Sequence, residues 1–145
     1  MTAEKGRIFI SYRRADSAAY AGRIYDRLSA HFGKDVIFMD VDNIEAGESF
    51  ASKLKEAVES CDAFIVLIGK QWLDIQAPDG RRRLDDSQDF VRMEVSMALK
   101  RKNTIPIIPI LVDGGNMPRV EELPPVLKLR IPVKSSTDSG LCRPL

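Results

Sequence analysis

The chain has 145 residues, which suits one domain and leaves too little for two self-sufficient cores. Hydrophobic residues make up 44% and charged residues 30%, a globular composition that excludes wholesale disorder. The formal net charge is +1, so no general pull toward nucleic acid or anionic lipid is expected.

In chain order, residues 7–11 (RIFIS) form a short β-rich run, followed by polar residues 12–16. From residue 17 to 32 the spacing turns helical, with Ala21, Ile24, Leu28 and Phe32 on one face, Asp16 or Ser17 as the cap and Gly33 as the stop. Residues 36–39 (VIFM) read as a second strand and residues 40–48 (DVDNIEAGE) as a loop. A second helix is expected over 49–61, where Phe50, Leu54, Ala57, Val58 and Cys61 share a face. Residues 63–69 (AFIVLIG) are apolar at nearly every position, as in a central parallel strand covered on both sides. A long connection over 70–86 carries the charge run 81–83, which with Asp85 and Asp86 reads as a solvated, salt-bridged loop. A third helix is predicted over 87–102, capped by Ser87 and with Lys100, Arg101 and Lys102 at its negative end. Residues 105–112 (IPIIPILV) form a fourth strand, whose prolines remove ladder donors and point to an edge or a bulge. After a loop over 113–125, residues 126–133 hold a predicted fifth strand. Residues 134–145 are polar and unpatterned, an expected loose tail after a domain spanning 1–133.

Strands separated by helical crossovers are parallel, and right-handed crossovers put helices on both faces. The expected fold is a flavodoxin-like three-layer α/β sandwich with a five-stranded parallel sheet. Ligands in such folds sit at the carboxyl ends of the strands. The loop after the first strand has no phosphate-cradling glycines. Nor do the strand ends carry the acidic groups of a phosphoacceptor domain. Cys61 and Cys142 are too few for a disulfide framework, and His31 alone builds no metal site, so no cofactor is expected. No apolar run reaches the ~20 residues that span a bilayer, and residues 1–6 are short and polar. A cytoplasmic domain is expected, without membrane or nucleic-acid partners.

On a wheel of about 100° per residue, Val91, Val95, Ala98 and Leu99 form an apolar arc, and Glu94 falls inside it. A charge there is costly unless it is satisfied. Either Glu94 snorkels or pairs with an arginine, or it is a carboxylate held in a cleft with Phe90 one turn before it.

These segments resemble a TIR domain of the bacterial type: residues 7–14 (RIFISYRR), 40–50 (DVDNIEAGESF), 61–72 (CDAFIVLIGKQW) and 84–99 (LDDSQDFVRMEVSMAL), in that order and spacing. The resemblance covers roughly residues 6–132. It implies the flavodoxin-like fold and makes residues 40–48 the BB loop, so that Asp42, Asn43, Ile44, Glu45 and Gly47 belong to an assembly surface with other TIR domains. Ser49 and Phe50, at the start of the second helix, would anchor that loop. Some TIR domains only bind one another. Others, in bacterial antiphage defence, plant immunity and axon degeneration, consume NAD+ with a glutamate on the third helix one turn after an aromatic residue. Here that pattern is Phe90 followed by Glu94, with phenylalanine where many members have tryptophan.

The resemblance therefore implies Glu94 as the catalytic carboxylate of an NAD+ glycohydrolase, giving nicotinamide and ADP-ribose or a cyclic variant. One carboxylate can suffice, because nicotinamide leaves as a neutral molecule while the ribose passes through an oxocarbenium-like state. Arg13 and Arg14 would meet the pyrophosphate or remain surface charges. Tyr12 would pack or stack near a ribose or the adenine. Asp40 would contact a ribose or fix its loop, and Trp72 would line the cleft or the core. The alternatives are a non-catalytic TIR–TIR adaptor module and, more remotely, a nucleoside-processing transferase. The amphipathic helix that usually follows the fifth strand has no counterpart in residues 134–145.

Overall fold

The computed structural model describes residues 6–39 and 48–128 of the chain. Four strands, β1 (Ile8–Ser11), β2 (Ile37–Met39), β3 (Ala63–Ile68) and β4 (Ile107–Leu111), form one sheet in the order β2-β1-β3-β4. Every pairing is parallel. The helices are α1 (Arg14–Phe32), α2 (Glu48–Ser60), α3 (Phe90–Leu99) and the short α4 (Pro125–Lys128).

Alternation along the strands divides the interior in two. Phe9, Phe64, Val66 and Ile68 face Leu54 and Val58 of α2 and Val91, Val95, Ala98 and Leu99 of α3. Ile10, Ile37, Ile65 and Leu67 face the other way, toward Ala21 of α1. The three-layer parallel α/β architecture follows directly from this two-sided burial. Register places Phe9 opposite both Phe38 and Phe64, and its ring stacks on each with centroids 5.0 Å apart. β4 lies at the edge of the described sheet, where the missing donor of Pro109 is tolerated.

Several boundaries differ from expectation for local reasons. The helical residues of α1 start at Arg14 but break at Ser17 (φ −144°, ψ 23°). Asp16 does not cap this helix. Its carboxylate accepts the backbone N–H groups of Gly69 (2.9 Å) and Gln71 (2.8 Å), tying the start of α1 to the exit of β3. Ser87 does not cap α3 either. Asp89 does, accepting the Arg92 N–H, and the helix ends at Leu99. Arg101 lies beyond it and donates to the Val58 (2.7 Å) and Cys61 (2.8 Å) carbonyls, so this one arginine of the basic run serves the end of α2. Burial pushes the Cys61 thiol above its ordinary range, although Arg101 opposes the shift.

The fifth strand expected over 126–133 is not what residues 126–128 form. Pro124 and Pro125 start a helical turn instead, where a missing N–H costs nothing, and Leu127 docks fully buried in the core. Residues 129–133 and the tail lie outside the described residues.

Gly115 brings the exit of β4 against that of β3. A Cβ at this position would clash with the Ile68 carbonyl oxygen and the Gly69 backbone. Gly115→Ala is expected to cost about 1–3 kcal/mol, read as a lower midpoint in denaturant. An unchanged midpoint would mean that this loop can move away freely.

Candidate functional site

The site is built where β1 ends. Phe9 faces α2 and α3 and Ile10 faces α1, so alternation returns Ser11 to the α3 side. Ser11 is fully buried, and its hydroxyl donates to Glu94 Oε1 at 2.6 Å. Glu94 is itself 0% exposed, among Val91, Val95, Ala98 and Leu99 of the same helix. The apolar-arc placement of Glu94 therefore holds, and the carboxylate does not snorkel to water.

Immediately after Ser11 the chain contributes a second tie to α3. Arg13 is 2% exposed, and its guanidinium donates both ways to Asp89, Nη1 to Oδ1 at 3.0 Å and Nη2 to Oδ2 at 2.9 Å. Asp89 is also the cap of α3. One carboxylate thus fixes the first turn of α3 and locks it to the exit of β1, one turn before Glu94. Arg13 Nε is buried without a hydrogen-bond partner, so the fork with Asp89 is its whole polar engagement in the described structure. Arg13 consequently stands as a buried structural cation, not as the open anion contact expected of it.

Beside this pair lies an open depression of about 230 Å³, lined by Tyr12, Arg13, Arg14, Arg83, Asp89, Phe90 and Val91. It lies at the carboxyl end of β1 and the start of α3, where the fold places ligands. Tyr12, Arg14 and Phe90 all line it, and Phe90 is exposed on its wall. Glu94 is not among the lining residues. Of the two places expected for Trp72, cleft or core, it takes the core: it is 1% exposed and packs with Val66, Ile68 and Val95. Its indole offers no face to a ligand. Asp40 and the loop residues Asp42, Asn43, Ile44, Glu45 and Gly47 lie outside the described residues.

Two larger depressions, about 340 Å³ each, lie elsewhere. One opens at the amino ends of β1 and β2, beside Lys53 and Cys61. The other lies between the exits of β3 and β4, lined by Lys70, Asp74 and Arg119 among others. Neither is lined by a residue of α3, so size alone does not locate the chemistry. Among the described residues no three His, Cys, Asp or Glu side chains gather to hold a metal, and no helix is long and apolar enough to cross a membrane.

Three residues of this region escaped the sequence reading. Ser11 was legible in principle, because strand parity puts it on the α3 side. Asp89 was masked by Ser87, an equally good cap by residue type. Arg83 was absorbed into a charge run.

A family model described as TIR domain matches residues 8–139. No curated protein matches the chain. Among solved structures the chain is similar to one described as the structure of the activated Roq1 resistosome directly recognizing the pathogen effector XopQ (TIR domains), with a TM-score of 0.50 and 19% identity. The match covers 73% of this chain and 57% of that one, and at that identity the likeness concerns the fold. With the family match running from the first strand past the last described helix, over a parallel sheet covered on both faces, the chain belongs to the TIR domain family.

Proposed function

We propose that this TIR domain is an NAD+ glycohydrolase of a cytoplasmic, bacterial defence system, acting in self-associated form through residues 40–48. The observation that carries the reading is the Glu94 carboxylate, buried in an apolar helix face and held by Ser11 one turn after the exposed ring of Phe90. A charge kept in such surroundings costs stability. Groups retained at that cost commonly serve chemistry.

The reaction needs little else. The bond between nicotinamide and C1′ of the ribose breaks, and its electron pair leaves with neutral nicotinamide. The carboxylate stabilises the positive charge that develops on the ribose. Water then adds to C1′ and loses a proton, giving ADP-ribose; attack by a group of the same molecule gives a cyclic product. Because Glu94 is fully buried, this reading requires a rearrangement that opens Glu94 to the depression beside Phe90. Self-association is the natural trigger, and the similar structure is that of TIR domains in an activated resistosome.

The burial of Glu94 equally favours a second reading, a TIR–TIR interaction module whose carboxylate never meets a substrate. Following free nicotinamide during incubation with NAD+ separates the two. The glycohydrolase reading expects release, with a rate per mole of protein that rises as the protein is concentrated. Self-association without nicotinamide release at any concentration would leave the interaction module.

A further inference from the structure

Ser17, Ser29 and Ser60 give their hydroxyl protons to backbone carbonyls three or four residues back, those of Arg13, Tyr25 and Ala57. Ser11 differs in both acceptor and reach. It spans 83 residues to meet a carboxylate, Glu94 Oε1, at 2.6 Å. A hydroxyl has one proton to donate, and here it is committed to Glu94.

Both ends of this bond are firmly mounted. Ser11 closes β1, which lies between β2 and β3, and its register partner is Val66 of β3. Ser11 is fully buried there. Glu94 sits in the second turn of α3, between Val91 and Val95, which pack into the same core as Val66. A donor on a strand inside a sheet places its acceptor more closely than a donor on a loop.

The last torsion of a glutamate is broad and two-fold, so an untethered carboxylate turns about its final bond. An O–H···O⁻ contact of 2.6 Å is at the short, strong end of such bonds. An apolar interior strengthens it further. It therefore holds the carboxylate plane still. The bond also draws charge from Oε1, so its benefit to chemistry lies in orientation, not in added charge. A group oriented beforehand stabilises a transition state without moving at the moment of reaction, and small misplacements are costly.

We propose that Ser11 is the positioning residue of Glu94, its hydroxyl setting the plane in which the carboxylate meets the positive charge on the ribose. This role rests on the glycohydrolase reading. Because Ser11 belongs to the sheet, its bond stays in place when the cleft beside Phe90 opens.

Steady-state nicotinamide release from NAD+ by concentrated protein tests the role, with thermal melts confirming that each variant is folded at the assay temperature. Ser11→Ala is expected to lower kcat by about 10–100-fold. KM for NAD+ should be nearly unchanged, since Ser11 touches the carboxylate and not the substrate. Ser11→Thr keeps a hydroxyl and suits a strand, so it should recover most of the loss. In a Glu94→Gln background, Ser11→Ala should slow release no further, because residues acting as one unit are not additive. That comparison suffices if the extra methyl of Ser11→Thr prevents folding.

A purely structural Ser11 would lower the melting temperature of Ser11→Ala and leave kcat unchanged, and that result would overturn the proposal. A raised KM at constant kcat, or an equal further loss in the Glu94→Gln background, would overturn it too. Each of these outcomes leaves the glycohydrolase reading standing, since the wild type still releases nicotinamide. Release by no protein, the wild type included, would sink that reading and the role of Ser11 with it.

Discussion

Asp89→Asn is expected to destabilise the domain by about 3–5 kcal/mol, the usual cost of leaving one partner of a buried ion pair behind. Asparagine can still accept the Arg92 N–H, so the cap of α3 survives. What is lost is the charge facing Arg13, whose side chain is 2% exposed. Against a total stability of about 5–15 kcal/mol, the melting temperature should fall by roughly 10–15 °C. Adding Arg13→Met should recover much of the loss, because an apolar side chain of similar length removes the stranded charge. A single-variant cost near 1 kcal/mol, the scale of a cap alone, would mean that the Arg13–Asp89 pair does not hold α3 against β1.

Glu94→Gln should behave in the opposite way. Glutamine keeps the shape, and its carbonyl oxygen can still accept the Ser11 hydroxyl that reaches Glu94 Oε1 at 2.6 Å. It removes a formal charge from a position that is 0% exposed. The melting temperature is therefore expected to stay level or rise, since neutral groups are cheaper to bury than charged ones. Nicotinamide release should nevertheless fall by about 10²–10³-fold, the scale of deleting a single group that stabilises transition-state charge. A carboxylate whose neutral isostere folds as well or better, and works far worse, is retained for function. A marked loss of stability in Glu94→Gln would instead assign the carboxylate a structural role.

The contrast between these two positions also explains what was legible in the sequence. β3 announced itself because a strand buried on both sides is apolar throughout, and all but its first residue are buried. Glu94 stood out because a helix wheel tests each residue against its neighbours in the same helix. Arg13 and Asp89 lie 76 residues apart, and no local period links them. The sequence therefore offered Arg13 as a loop cation and Ser87 as a cap, and tertiary pairing reassigned both roles. Trp72 followed a similar course: just past a strand it could line either cleft or core, and packing against Val66 and Val95 decided for the core. Residues 126–128 were misread for a different reason. A short apolar run fits strand and buried helix equally well, and the two prolines before it favour the helical turn. Arg83 was hidden because the direction of one arginine among three depends on which neighbour Asp85 captures, and it captures Arg82.

On the proposed function, Glu94 is the group on which nicotinamide release depends. The most direct measurement is the rate of free nicotinamide formation from NAD+ by concentrated wild-type protein and by Glu94→Gln, with thermal melts confirming that both are folded. Release by the wild type is expected, with a rate at least about 100-fold lower in the variant. Equal rates, or release by neither protein, would contradict it.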